Sequence, residues 1–243
     1  MKLTGGQILR RAFSGSLALI LITAQSIFYS PSTASAAPSG TSGSIILGSG
    51  NYFKTVDSAD FVMGTSDFTF ETWVYATSSP GNNYTGIISI GMPSDLTSGT
   101  NGREIRIGQS FAGDGKLGFL APNSASNADV WTATSSALSL GVWTHLALVR
   151  SSSTMTLYVN GVSAATRAGV DFNHTGYPTK GNIGAFFISK NGGWADGEFN
   201  GSVADIRLVK GTAVYSANFT PPTSELGIIN SVNTKLLLSL IHI

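Results

Sequence analysis

LGVWTHLALVRSSSTMTLYVNGV, residues Leu140 to Val162, reads as a strand, a polar turn, a second strand and an Asn-Gly turn. In the second strand Met155, Leu157 and Val159 alternate with Thr154, Thr156 and Tyr158, the period of two that a pleated ribbon imposes. Asn160-Gly161 supplies the positive φ angles of a two-residue hairpin turn. The first strand is apolar on both parities, with Leu146 and Leu148 on one and Trp143, Ala147 and Val149 on the other, which predicts burial of both faces. Antiparallel β structure follows.

Outward from this hairpin, short alternating runs recur along the chain. DFTFETWVYA sets Phe68, Phe70, Thr72 and Val74 against Thr69, Glu71, Trp73 and Tyr75. Further strands are predicted at 44–47, 51–56, 85–90, 103–109, 116–120 and 129–134, and beyond the hairpin at 182–189 and 199–209. Helical amphipathic windows are nearly absent, and about ten to twelve strands at this spacing describe a sandwich. The 29 glycines and only 11% charged residues suit a turn-rich β domain.

The closing stretch GSVADIRLVKGTAVYSANFTPPTSEL, Gly201 to Leu226, adds a long strand and a Gly-Thr-Ala-Val-Tyr…Asn-Phe-Thr-Pro-Pro tail. Together with DFTFETWVY and a Trp-x-His strand followed by Tyr-Val-Asn-Gly, it resembles the laminin-G-like, concanavalin A-like jelly-roll family over about residues 44–226. The resemblance implies an all-β, two-sheet antiparallel jelly-roll sandwich. It implies little about chemistry, because this fold hosts binders, adhesins and enzymes alike.

The first 36 residues read as an export signal: Lys2, Arg10 and Arg11 precede an apolar run from Leu17 to Ile22 and then the small-residue pattern Ala34-Ser35-Ala36. Arg10-Arg11-Ala12-Phe13 matches a twin-arginine signal only in part. The run is shorter than the roughly 20 residues of a spanning helix, so no membrane insertion of the mature chain is expected. Residues 37–43 form a Pro/Ser/Gly tether and 44–237 the domain. Without the signal, 11 basic residues face 13 acidic ones, a balance that argues against nucleic acid as the partner. With no cysteine, disulfides and thiolate metal sites are excluded, and a packed core must supply stability.

The last six residues, LSLIHI, back-translate to CTGTCTCTTATACACATC, the end of a transposase-based sequencing adapter. They are read as library-derived, with the natural protein continuing beyond Leu237, and His242 is set aside. A final edge strand over 235–243 is the alternative.

Strand parity places Glu71, Trp73, His145, Asp205 and Arg207 opposite the apolar positions Phe70, Val74, Leu146, Leu148, Ile206 and Leu208. Such a mixed aromatic and charged face suits a sugar, whose C–H faces stack on rings while its hydroxyls need donors and acceptors. The same residues also suit a structural network in which Arg207 pairs with a carboxylate and Trp73 packs over it. Loop aromatics are a second candidate set: Trp194 with Asn191 in KNGGWADGEF, and Trp131, Tyr84 and Tyr177 in polar stretches. Asp57 and Asp60 are hard oxygen ligands within one turn, a candidate calcium site, against the simpler reading of turn-forming aspartates.

Enzymatic patterns are missing. No Glu-x-Asp-x-Glu run, no Gly-x-Ser-x-Gly elbow and no phosphate-cradling loop occurs. The expectation is therefore an exported, non-catalytic recognition module for a glycan or other extracellular surface polymer. The alternative is a structural or adhesive surface or phage-related component that binds a protein partner. A third reading, a glycoside hydrolase on the same fold, has only Glu71 and Asp205 to nominate as paired acids.

Overall fold

Alternation along Phe68–Ala76 sorts the molecule into an inside and two outsides. The structure, a computed structural model, describes residues 43–48, 50–78, 86–92, 105–109, 115–122, 129–170, 184–189 and 199–238. The strands are β1 (Ile45–Leu47), β2 (Phe53–Lys54), β3 (Phe68–Ala76), β4 (Gly86–Met92), β5 (Ile105–Gln109), β6 (Lys116–Pro122) and β7 (Asp129–Ala137). They continue as β8 (Trp143–Ser151), β9 (Thr154–Val159), β10 (Val162–Arg167), β11 (Ala185–Ile188), β12 (Gly201–Lys210) and β13 (Thr234–Leu238). Among the described residues, the only helical element is a 3-10 turn at Ala59–Phe61, and no helix is long and apolar enough to cross a membrane.

Two antiparallel sheets result, as the jelly-roll expectation requires. The larger runs β1-β12-β3-β8-β9-β10, with β13 also pairing β12, and the smaller runs β2-β11-β4-β5-β6-β7. One core lies between them. Phe70, Val74, Leu146, Leu148, Leu157, Ile206 and Leu208 enter it from the large sheet, and Ile88, Ile90, Ile107, Phe119, Phe186 and Ile188 from the small one. Phe186 joins the layers, its ring 5.8 Å from Phe70 and 6.4 Å from both Phe53 and Phe61. Such a buried ring contributes about 1.5–3 kcal/mol by its area alone.

The Asn-Gly turn forms as the sequence dictates, with Asn160 at φ +50° and Gly161 at φ +76°. Asn160 Oδ1 accepts the His145 N–H at 2.9 Å, which ties the turn back to β8. The turn opens a further strand, β10, that was not predicted, because VSAATR carries little apolar alternation. Its Arg167 reaches across to the other sheet, donating to Ala121 O at 2.6 Å and to Val130 O, and stands 5.5 Å from the Phe119 ring. That one side chain stitches two sheet edges together.

One expectation needs correction in detail. The register of β12 against β3 slips between Ala204 and Arg207, a bulge in which Asp205 takes φ +46°. Strict alternation therefore fails there: Val203 and Ile206, three apart, both face the core. The pairing of Leu238 with Ile206 extends β13 one residue into the stretch read as adapter-derived. Backbone pairing is indifferent to the source of an apolar residue, and 239–243 lie outside the described residues.

Candidate functional site

β8 is buried on both faces because the chain folds back over it. After β12 the segment 211–221 crosses the outer face of the large sheet as a strap. Thr69 Oγ1 donates to Thr212 O at 3.1 Å and accepts the Val214 N–H at 2.8 Å. At the far side the Phe219 N–H donates to Gly161 O at 2.9 Å, and Asn218 Oδ1 accepts the Ser163 N–H at 2.9 Å. Ala213, Tyr215 and Phe219 pack on Ala147, Val149 and Tyr158. Gly161 is obligatory here, since a Cβ would fall 1.8 Å from Phe219 O.

Beneath the strap lies the charged part of the predicted face. Glu71 is fully buried, and its Oε1 accepts from Arg207 Nε at 2.9 Å and Nη2 at 2.5 Å. Its Oε2 accepts the Tyr215 hydroxyl at 2.7 Å and stands 3.3 Å from His145 Nε2, a contact bent away from a straight hydrogen bond. Arg207 Nη1 donates to Gly227 O at 2.7 Å, so the guanidinium is also engaged by the chain beyond the strap. Burial alone would raise the Glu71 pKa, but the imidazole of His145, the charge of Arg207 and the Tyr215 hydroxyl outweigh it and hold the carboxyl below its usual range. Burial, and then the neighbouring carboxylate, push the Tyr215 phenol well above its ordinary value. Glu71, Arg207 and Tyr215 thus form a hydrogen-bonded ion-pair network that anchors the strap, the Arg207–carboxylate pairing of the structural alternative named above.

Beyond the strap the same face becomes aromatic. Trp73 pairs with His145 and Tyr75 with Trp143 across β3 and β8. Tyr75 and Trp143 lie 5.6 Å apart at a 51° tilt, and Trp73 meets His145 edge to face at 5.2 Å. Trp73 and Tyr75 are half-buried, and Leu140 and Val142 beside Trp143 are exposed. The parity of Tyr75 was legible in DFTFETWVY, but its value as a surface depends on where the strap stops, which no local pattern encodes.

The small sheet carries a second outer row. Cross-strand register aligns Lys54, Phe187, Ser89, Arg106, Leu120 and Trp131. Phe187, Ser89, Arg106 and Leu120 are buried, Lys54 is exposed and Trp131 half-buried. The Trp131 ring rests on Gly118, where a Cβ would come within 2.7 Å of it. Trp131, grouped from sequence with the loop aromatics, sits within β7, inside the strand predicted over 129–134. The loop candidates Trp194, Asn191, Tyr84 and Tyr177 lie outside the described residues.

Asp60 Oδ1 stands 3.1 Å from Lys235 Nζ, and Lys210 Nζ donates to Ala59 O at 3.0 Å. Two ammonium groups beside this carboxylate oppose a divalent cation, so its geometry is that of an ion pair. Burial lowers the Lys210 pKa, with Asp60 acting against it and Lys235 with it. Among the described residues no three metal-ligating side chains converge, at Asp57 and Asp60 or elsewhere.

Residues 47–214 match the family model of the concanavalin A-like lectin/glucanases superfamily. No curated protein matches the sequence. Domain 4 of an extracellular GH43 arabinanase from Geobacillus stearothermophilus, solved with arabinotriose, is similar at 20% identity and TM-score 0.53, over 73% of this chain and 75% of that one. A Bacteroides ovatus protein assigned to carbohydrate binding is similar at 17% identity and TM-score 0.52, over 81% of this chain and 50% of its own. The enzymatically active domain of tailspike protein 2 of bacteriophage CBA120 is similar at 11% identity and TM-score 0.59, over 89% of this chain and 32% of its own. At such identities the likeness is one of fold.

Proposed function

Because the chain belongs to the concanavalin A-like lectin/glucanase superfamily, we propose that it is an exported, non-catalytic module that recognises a glycan or another extracellular surface polymer. The observation that carries this reading is the aromatic face at the end of the large sheet, where the half-buried Trp73 and Tyr75 flank the buried Trp143. Aromatic rings held by a rigid sheet offer flat apolar area to sugar C–H faces at little entropic cost. The likeness to an arabinanase domain solved with arabinotriose supports a sugar in particular. Export is supported by the signal-like first 36 residues.

Non-catalytic action is supported by the state of Glu71. A glycosidase needs one carboxyl that holds a proton and a second one across the scissile bond. Glu71 is sealed from solvent, doubly held by Arg207 and kept ionised, which unsuits it as a general acid. Asp205, its nominated partner, is buried at the bulge of β12.

A glycan array probed with the chain tests the proposal. Binding to a defined glycan set, lost on Tyr75→Ala in a variant that still folds, is the expected result. A folded chain that binds no glycan overturns it. One observation favours a protein partner instead: Ile228, Ile229 and Val232 stand 45%, 48% and 71% exposed in the turn before β13. An array without signal would leave that second reading in place.

A further inference from the structure

The turn that leads into β8 exposes two aliphatic side chains, Leu140 at 49% and Val142 at 39%, while Leu138 and Trp143 on either side of it are buried. Backbone contacts fix this turn to the end of β3. The Gly141 N–H donates to Ala76 O at 2.9 Å, and Leu140 forms a parallel bridge with Ala76. Gly141, between the two aliphatics, takes φ +71°, and a Cβ there would lie 3.9 Å from the Tyr75 hydroxyl oxygen. Val142 runs directly into Trp143, whose ring stands 5.6 Å from that of Tyr75. Leu140 and Val142 are therefore an apolar rim on the Trp73 and Tyr75 face, held in place by main-chain bonds rather than by their own packing.

A single exposed leucine is ordinary, but two aliphatics on either side of a pinned glycine, at the edge of an aromatic face, select what lies over them. A sugar hydroxyl placed there loses its water and meets side chains with neither donor nor acceptor, whereas a methyl group gains by the same burial. Two side chains offer an area of that size, far below the few hundred Å² of a protein or lipid docking patch. Charge is scarce as well: among the described residues of 43–48, 72–78, 138–149 and 199–204 there is no Asp, Glu, Lys or Arg, and the next acids along these strands, Glu71 and Asp205, are buried. We propose that the sugar on this face carries an uncharged, methyl-bearing substituent, a deoxy-sugar methyl or an acetamido group, which rests on Leu140 and Val142. The inference rests on the glycan reading above and adds the class of sugar to it.

Matched sugars titrated into the full chain test this, with tryptophan fluorescence as the readout. The probes are L-fucose against L-galactose, which differ by a methyl in place of a hydroxymethyl, and N-acetylglucosamine against glucose, each as the terminal unit of one common oligosaccharide. The methyl-bearing member of at least one pair is expected to bind about fourfold tighter, the factor that one buried methyl supplies. Leu140→Ser with Val142→Thr should bring that ratio to about one and leave the affinity of the unsubstituted member unchanged. Val142→Thr alone, which swaps a methyl for a hydroxyl at equal size, should lower the ratio in part, and urea unfolding verifies the fold of each variant. Equal affinity within both pairs in wild type overturns the proposal, as does a preference that survives in the folded double variant, or tighter binding of a uronic acid in the terminal position. The outcomes separate from those of the glycan reading. Binding that is lost in Tyr75→Ala but equal within both pairs sinks only the substituent, whereas a folded chain that binds no glycan sinks both.

Discussion

Replacing Tyr215 by Phe removes one hydroxyl and nothing else from the strap. The ring that stacks on Phe219 at 3.6 Å is retained, so the change isolates the 2.7 Å hydrogen bond to Glu71 Oε2. A hydrogen bond to a charged group contributes about 1.5–3 kcal/mol, and the part-exposed phenol places this one near the lower end, at about 1.5–2 kcal/mol. For a domain of this size that corresponds to a fall in Tm of roughly 3–8 °C. The loss also depends on pH. The Glu71 carboxyl lies below its ordinary range in the folded chain. The stability it contributes is therefore present above the unfolded carboxylate range and disappears as pH falls through the folded value. Tyr215→Phe moves that folded value upward, so the gap between wild type and variant narrows once acid protonates Glu71 in both. Urea unfolding followed by tryptophan fluorescence at neutral and acid pH reads both effects. A variant within about 0.5 kcal/mol of wild type at neutral pH, or a gap unchanged by acid, refutes the assignment of Glu71 as the strap's anchor.

Gly161→Ala forces a Cβ against Phe219 O at a backbone φ of +76°, and is expected to cost about 2–4 kcal/mol. Limited proteolysis would then cut within 211–221 sooner than in wild type, and equal cutting times would contradict the packing described. Arg167→Ala removes the bridge between β10 and the β6–β7 edge, at about 1.5–3 kcal/mol. Hydrogen exchange should accelerate first in the amides of β7 and β10, and uniform acceleration would count against the bridge. Chelator should leave Tm and any glycan binding unchanged, because Asp60 is paired with Lys235 and flanked by Lys210. A drop of several degrees would restore calcium to the account.

The hairpin was legible because local rules and the fold agree there. Met155 and Leu157 alternate inward, and Asn160-Gly161 takes the positive φ pair that its residue types favour. The double burial of β8 was also legible from its apolar parities, but not its cause. Tyr215 and Phe219 sit in a tail whose composition shows a non-strand segment, and only tertiary packing decides that this tail crosses β8. For the same reason one face, predicted as a single mixed surface of Glu71, Trp73, His145 and Arg207, divides in two. The half under the strap is an anchor, and the half beyond it is aromatic and part-exposed. The bulge at Asp205 escaped prediction because no glycine marks it. The row through Arg106 and Trp131 escaped because it needs the order of five strand pairings at once.

The central claim is that Trp73, Tyr75 and Trp143 form the contact surface for a glycan. Titration of the best array ligand into wild type and Tyr75→Ala, with tryptophan fluorescence as the readout and urea unfolding to verify the fold, tests it most directly. The account predicts saturable fluorescence change in wild type and at least a roughly tenfold weaker affinity in the variant, the loss expected of one ring contact of about 1.5 kcal/mol. Equal affinity in a folded Tyr75→Ala variant would place the binding surface elsewhere on the molecule and contradict the account.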